Sequence, residues 1–141
     1  EKMKNCNAVI GGEGNGGVIY PSLHYGRDAL VGIALFLTNL AQKEMSCLEL
    51  RKTYPDYFIS KNKLDLDINT DISHIFNELK TKYSSFKINL IDGLKIDFDE
   101  GWVHLRRSNT EPIIRIYAES TTKQKADDLA NDFIDQINKI I

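Results

Sequence analysis

The 141-residue chain has 42% hydrophobic and 27% charged residues and a formal net charge of −2, as is typical of a soluble globular protein with room for one domain and a fragment of another. The acidic balance argues against nucleic acid or an anionic membrane as the main partner, because such partners usually require a basic surplus. Cys6 and Cys47 show neither a disulfide framework nor a metal-ligand spacing, so we expect no metal site here and a reducing, cytoplasmic location.

The first part of the chain predicts a strand, a glycine-rich loop and an apolar helix. The NAVI segment (residues 7–10) predicts a short buried strand that leads into GGEGNGG (residues 11–17). A helix is predicted from about Arg27 to about Met45, because apolar residues recur there at helical spacing. This helix is apolar enough to need cover on most sides, but its most apolar stretch (residues 29–37) is about half as long as a bilayer requires.

A domain boundary is predicted near Pro55. A second helical stretch (residues 46–54) ends before this proline, which disfavours helix at the residue ahead of it. We therefore divide the chain into residues 1–46 and residues 47–141. Because the chain opens on Glu1 and reaches a glycine-rich loop at once, we expect it to belong to a larger protein.

The second part predicts short strands joined by turns, together with two amphipathic helices. Strands are predicted at residues 57–66, 86–91, 94–98, 102–105 and 113–118, with Asp-Gly and Glu-Gly turns between neighbours. One helix begins near Asp71, and the last begins at Thr121, whose spacing to Gln124 is a capping-box pattern. Short strands joined by tight turns pair antiparallel. We therefore expect an α+β fold: a four-stranded antiparallel sheet with two helices on one face, preceded by a strand–loop–helix segment of an α/β domain.

The RRSNTEP loop (residues 106–112) concentrates hydrogen-bond donors between two predicted strands. Arg106 carries a planar fork that matches a phosphate, and Ser108, Asn109 and Thr110 each add a side-chain donor. Arg106 and Arg107 alternate across the strand, so only one of them is expected to point with the hydroxyl groups. The loop suits a dianion such as a phosphate monoester. The alternative is that these are ordinary turn residues.

The GGEGNGG loop allows a similar pair of interpretations. Its glycines let the backbone approach a ligand closely, and Glu13 and Asn15 can hydrogen-bond vicinal hydroxyl groups of a sugar. The loop is neither GxGxxG nor a Walker loop, so it does not indicate a nucleotide. The alternative is a flexible surface turn.

Taken together and in order, the two loops, the apolar helix, DG-LKIDF and WVHLRRSNTEPIIRIYAES closely resemble the C-terminal part of the α-D-phosphohexomutases. This family includes phosphoglucomutase, phosphomannomutase and phosphoglucosamine mutase. The resemblance covers essentially the whole chain and implies that residues 1–46 end the third domain and residues 47–141 form the fourth. It also implies ligands for sugar hydroxyl groups and for the phosphate that does not react, which are Glu13 and Asn15, and Arg106, Ser108, Asn109 and Thr110, respectively.

The resemblance implies an enzyme that interconverts hexose 1-phosphate and hexose 6-phosphate. In the family a phosphoserine of the first domain transfers its phosphoryl group, a glucose 1,6-bisphosphate-type intermediate reorients, and a Mg²⁺ ion held by the second domain assists. None of that machinery lies in these residues, so we expect no catalytic or metal-binding residue and no activity from this chain alone. The implied partners are the phosphosugar and the remaining domains of the parent enzyme, with no nucleic acid and no membrane. Two alternatives remain open: a phosphoglucosamine mutase, or a non-enzymatic module that binds phosphosugar or nucleic acid.

Overall fold

A computed structural model describes residues 1–12 and 16–141, which form two compact units, Glu1–Pro55 and Asp56–Ile141. The first unit contains α1 (Lys2–Asn5), β1 (Gly11–Gly12), β2 (Val18–Ile19), α2 (Ala29–Lys43) and α3 (Cys47–Lys52). The second unit contains β3 (Phe58–Asp65), α4 (Ile72–Lys82), β4 (Lys87–Asn89), β5 (Leu94–Phe98), β6 (Gly101–Arg107), β7 (Ile113–Ser120) and α5 (Lys123–Ile140).

No strand forms at residues 7–10, where the sequence predicted one. The first strand, β1, begins at Gly11. The backbone N–H groups of Cys6, Asn7 and Ala8 donate to carbonyl groups of α1, and Asn7 adopts a left-handed φ of 49°. These residues therefore close a helix instead of starting a strand. Val9 is 78% exposed, and β1 pairs antiparallel with β2.

Helix α2 forms where its apolar periodicity predicts. The carboxylate of Asp28 caps its first turn by accepting a hydrogen bond from the Val31 N–H at 2.9 Å. All of its residues are described and none of them is buried. Leu30 is 78% exposed and Leu37 is 56% exposed, so the described residues of the first unit do not supply the expected cover.

The second unit is built on a five-stranded antiparallel sheet in the order β3-β7-β6-β5-β4, one strand more than expected. The edge strand β3 pairs with β7 along its whole length, from Phe58 opposite Ser120 to Asp65 opposite Ile113. A long connection that contains α4 joins β3 to the next strand, β4. Only Ser60 among the residues of β3 is buried. Neither a hairpin turn nor a strong apolar alternation therefore marks it as part of the same sheet.

Helices α4 and α5 cover one face of this sheet, as predicted. The Asp71 carboxylate caps α4, but α5 is capped by Thr122, one residue later than expected, and Gln124 donates to Asp128 instead of closing a capping box. The Phe133 ring stacks on Tyr83 at a centroid distance of 5.1 Å. The buried core between sheet and helices includes Ile75, Leu79, Leu94, Ile96, Val103, Leu105, Ile114, Ile116, Ala130, Phe133 and Ile137.

The opposite face of the sheet carries the polar members of the alternation. Because successive side chains of a strand point to opposite faces, burial of Val103 and Leu105 directs His104 and Arg106 away from the helices. This face is called the open face below.

Candidate functional site

The RRSNTEP loop joins β6 and β7, which are inner strands of the sheet. Its start is tied to its end, because the Ser108 N–H donates to the Ile113 carbonyl at 3.1 Å. Its exit is tied to the segment before α4, because the Leu66 N–H donates to the Pro112 carbonyl at 2.8 Å. The loop is therefore held at its base by β6, by β7 and by the segment that follows β3.

Two of the predicted phosphate ligands converge inside the loop. Ser108 is 7% exposed, and its Oγ lies 3.4 Å from both the N–H nitrogen and the Oγ1 of Thr110. Asn109, between them, is exposed. The loop thus presents two hydroxyl groups and at least one backbone N–H within one small volume, a donor set suited to an oxyanion.

The two arginines of the loop lie on opposite faces of β6, as the alternation predicts. Arg106 lies on the open face, where its Nη2 is 2.9 Å from Oδ2 of Asp92. Arg107, and not the predicted ligand Arg106, lines a cavity of about 350 Å³ together with Ser108 and Asn109. The other wall of this cavity includes Thr70, Asp71 and Ser73, from the beginning of α4.

A row of cations crosses the open face next to the loop. Arg106 lies opposite Arg115 in the β6–β7 register, and Arg115 lies opposite Lys63 in the β7–β3 register. No sequence pattern indicates that Lys63 belongs to this row. Only the strand register brings Lys63 into this row, because it is 52 positions away in sequence from Arg115 in a segment with no turn to fix the pairing.

The Asp92-Gly93 turn lies beside Arg106. The β5–β6 register pairs Leu94 with Leu105, and His104 Nε2 lies 2.5 Å from the Asp92 carbonyl oxygen. The sequence predicted the turn, but it gave no sign that the Asp92 carboxylate contacts an arginine of the RRSNTEP loop.

Polar side chains elsewhere in the second unit also have structural partners. Trp102 Nε1 donates to Glu119 at 2.8 Å. In the acidic hairpin tip, a hydrogen bond from Lys125 and the charge of Lys125 hold the pKa of Glu100 below its ordinary value. No group of three or more His, Cys, Asp or Glu in residues 1–12 and 16–141 is arranged to hold a metal ion.

The predicted sugar ligands Glu13 and Asn15 lie outside the described residues. The strands that flank them are described and form the antiparallel β1–β2 pair, with Gly12 opposite Val18. In the described part of the chain, no helix has both the length and the apolar character that crossing a membrane requires.

Comparison with known proteins identifies two family domains in the chain. Residues 66–136 match the family model described as phosphoglucomutase/phosphomannomutase, C-terminal domain. Residues 1–57 match the model described as phosphoglucomutase/phosphomannomutase, alpha/beta/alpha domain III. The two matches lie in the order in which the resemblance places them.

Curated relatives and a solved structure are also similar to this chain. A phosphoglucosamine/phosphogalactosamine mutase of Sulfurisphaera tokodaii is 38% identical over 142 residues, 99% of this chain and 30% of the relative. A phosphoglucomutase/phosphomannomutase of Thermococcus kodakarensis is 38% identical over 122 residues, 85% of this chain and 26% of the relative. The crystal structure of a phosphoglucomutase/phosphomannomutase family protein from Burkholderia thailandensis shares the fold, with a TM-score of 0.70 at 23% identity over 99% of this chain and 30% of that chain.

Proposed function

Because the chain belongs to the phosphoglucomutase/phosphomannomutase family, we propose that it supplies the phosphate-binding domain of a phosphohexomutase. The chain spans about 30% of the length of the first of the relatives above, so the reaction is assigned to a longer polypeptide of which these residues are one part. That polypeptide would interconvert hexose 1-phosphate and hexose 6-phosphate through a bisphosphorylated intermediate.

The observation that supports this proposal is the convergence of Ser108 and Thr110 at the end of β6, where Oγ of the serine lies 3.4 Å from both donors of the threonine. Arg106 and Arg115 add positive charge on the open face beside the loop. Such a set of donors binds a phosphate without offering it a nucleophile or a base. Its role would be to hold the non-reacting phosphate, so that the binding energy of this remote group orients the reacting centre.

The sugar and the metal ion belong to other parts of the proposed site. Glu13 and Asn15 would bind sugar hydroxyl groups, and the family resemblance carries this part of the proposal. The family resemblance implies a Mg²⁺ ion held by the second domain, so we propose that the ligands of the magnesium ion come from that part of the parent enzyme. We also propose residues 1–46 and 47–141 as the two domains, joined within residues 46–56.

A phosphoglucosamine mutase is the second candidate. Its support is that the Sulfurisphaera tokodaii relative, a phosphoglucosamine/phosphogalactosamine mutase, has the same 38% identity as the Thermococcus kodakarensis relative. The proposed cytoplasmic location is supported by Cys6 and Cys47, both of which are exposed free thiols.

A phosphate titration of the ¹⁵N-labelled chain tests the proposed site. Inorganic phosphate and glucose 1-phosphate should shift the backbone amide signals of residues 106–110. The substitution Ser108→Ala should raise Kd about ten-fold or more, because a hydrogen bond to a charged group contributes about 1.5–3 kcal/mol. Ser85→Ala, an exposed serine in the turn after α4, is the matched control and should leave Kd unchanged.

The activity of the chain is tested separately. A coupled mutase assay with glucose 1-phosphate should show no turnover above background, because the proposed phosphoryl donor lies elsewhere. Phosphate shifts that are absent from residues 106–110, or equal Kd values for Ser108→Ala and the parent chain, would contradict the proposed function. Clear turnover would contradict the assignment of the reacting groups to other polypeptide.

A further inference from the structure

Asp92 holds the guanidinium group of Arg106 from outside the phosphate loop. The contact joins Oδ2 of Asp92 to Nη2 of Arg106 at 2.9 Å. The contact engages one nitrogen of a guanidinium group that has five N–H donors. Among the described residues, Asp92 is the carboxylate with which Arg106 forms an ion pair. The remaining donors are available to an oxyanion.

The position of Asp92 is fixed by the backbone of its turn. Gly93 has a φ of 85°, and a Cβ atom at this position would lie 2.2 Å from the Leu105 carbonyl oxygen. The turn therefore packs directly on β6, one residue before Arg106. A second contact holds Asp92 itself, because His104 Nε2 lies 2.5 Å from the Asp92 carbonyl oxygen. A side chain on so restrained a turn is well placed to orient a longer and more flexible one.

We propose that Asp92 is a positioning residue for Arg106: its carboxylate orders the guanidinium group before phosphate arrives. This inference rests on the proposed function of the loop. The ion pair has little value for stability, since the two side chains are 44% and 61% exposed and exposed pairs contribute little. Its value lies in binding, because ordering a long side chain on association weakens affinity by about two- to ten-fold, and a side chain that is already ordered avoids this loss.

A competing effect has the opposite sign. A carboxylate near the site repels a dianion, and an arginine must loosen its hold on Asp92 if both anions need the same nitrogen. The single-point contact favours positioning, because the phosphate can use donors that Asp92 does not engage. The two effects are separated by Asp92→Asn, which removes the charge but keeps an oxygen that accepts a hydrogen bond, and by Asp92→Ala, which removes both.

The experiment is a titration of the ¹⁵N-labelled chain with inorganic phosphate at constant ionic strength. Its readouts are Kd, from the amide shifts of residues 108–110, and the Nε–Hε relaxation of Arg106 without ligand. For Asp92→Ala we expect a Kd two- to ten-fold higher and a more mobile Arg106 side chain. For Asp92→Asn we expect a Kd within two-fold of the parent chain. The control is Asp99→Ala, which removes an exposed carboxylate at the far end of the β5–β6 hairpin and should change neither readout.

Each result decides one question. Equal or tighter phosphate binding by Asp92→Ala, with normal binding by the parent chain, would overturn the positioning role and leave the proposed function standing. The same weakening in Asp99→Ala would also overturn it, because the effect would then not depend on the contact between Asp92 and Arg106. If the parent chain shows no phosphate-dependent shifts at all, both the proposed function and this inference fall.

Discussion

Arg106 on β6 and Arg115 on β7 are direct partners in the antiparallel register, so two positive charges lie opposite each other. Lys63 extends the row on β3. Like charges in direct cross-strand pairs are destabilising. Ion pairs of Arg106 with Asp92 and of Lys63 with Asp65 offset part of this repulsion. An anion bound beside the row would relieve more of it.

Replacement of Arg115 by Gln is expected to separate stability from ligand binding. Without ligand the variant should be as stable as the parent chain or more stable by a few tenths of a kcal/mol, because one repulsive pair is removed. Phosphate should raise the Tm of the variant less than that of the parent chain, because a ligand that binds the native state more weakly stabilises it less at the same concentration. Thermal unfolding in chloride and in phosphate at equal ionic strength measures both. Lys80→Gln on α4 is the control, and an undiminished phosphate effect in Arg115→Gln would separate this arginine from the site.

Replacement of Phe133 by Ala is expected to destabilise the second unit by about 3–5 kcal/mol, as for large-to-small changes in a packed core. The ring is fully buried and lies 5.1 Å from Tyr83 and 6.3 Å from Phe98, centroid to centroid. Phe86→Ala is the control, because Phe86 belongs to the same aromatic cluster but is 44% exposed. Urea unfolding followed by the fluorescence of Trp102, the one tryptophan of the chain, gives both values. Equal losses in the two variants would contradict the core described above.

The Asp127 carboxylate is expected to make the stability of the second unit depend on pH. A hydrogen bond from Lys123, then one from Ser60 at 2.6 Å, lowers the pKa of Asp127 below its ordinary value of 3.8. A lowered pKa in the folded state means that the contribution is complete above that ordinary value and is lost as the pH falls through the folded-state pKa. Asp127→Asn should therefore be less stable than the parent chain at pH 7, and the difference should shrink below about pH 4.

Urea unfolding from pH 7 to pH 2.5 measures this difference directly. Ser60→Ala removes the hydrogen bond between β3 and α5 while keeping the carboxylate, so it should reduce the pH-dependent difference without abolishing it. If the difference in the free energy of unfolding between Asp127→Asn and the parent chain stays constant over the whole pH range, the charge of the Asp127 carboxylate does not contribute to stability.

Local sequence signals predicted most elements of the fold. The apolar stripe of α4 and its Asp71 cap sufficed to place that helix, and the alternation in β5 and β6 sufficed for their pairing. The failures lie where a contact between distant segments decides the outcome. Strand β3 joins the sheet by pairing with β7 rather than by a hairpin, and Thr122 replaces Thr121 as the cap of α5 because the last residue of β7, Ser120, is still bound to the sheet.

The candidate site shows the same limit. The family resemblance is confirmed by the two family matches, while the roles of Arg106, Ser108, Asn109 and Thr110 in binding phosphate stay predictions. The Asp92–Arg106 contact was not predictable from spacing, because two strands must first fix a register before a turn residue meets a side chain fourteen positions away. The roles of Glu13 and Asn15 stay predictions.

The strand order has a consequence for how the loop can change. β6 and β7 have a neighbouring strand on both sides, so amide hydrogens near Leu105 and Ile114 should exchange with solvent slowly, while those of the exposed Asn109 should exchange fast. The protection against hydrogen exchange thus falls steeply over a few residues. Loop residues can therefore be substituted one at a time without destabilising the strands that hold the loop. New ligand preferences can then arise in this domain without putting its folding at risk.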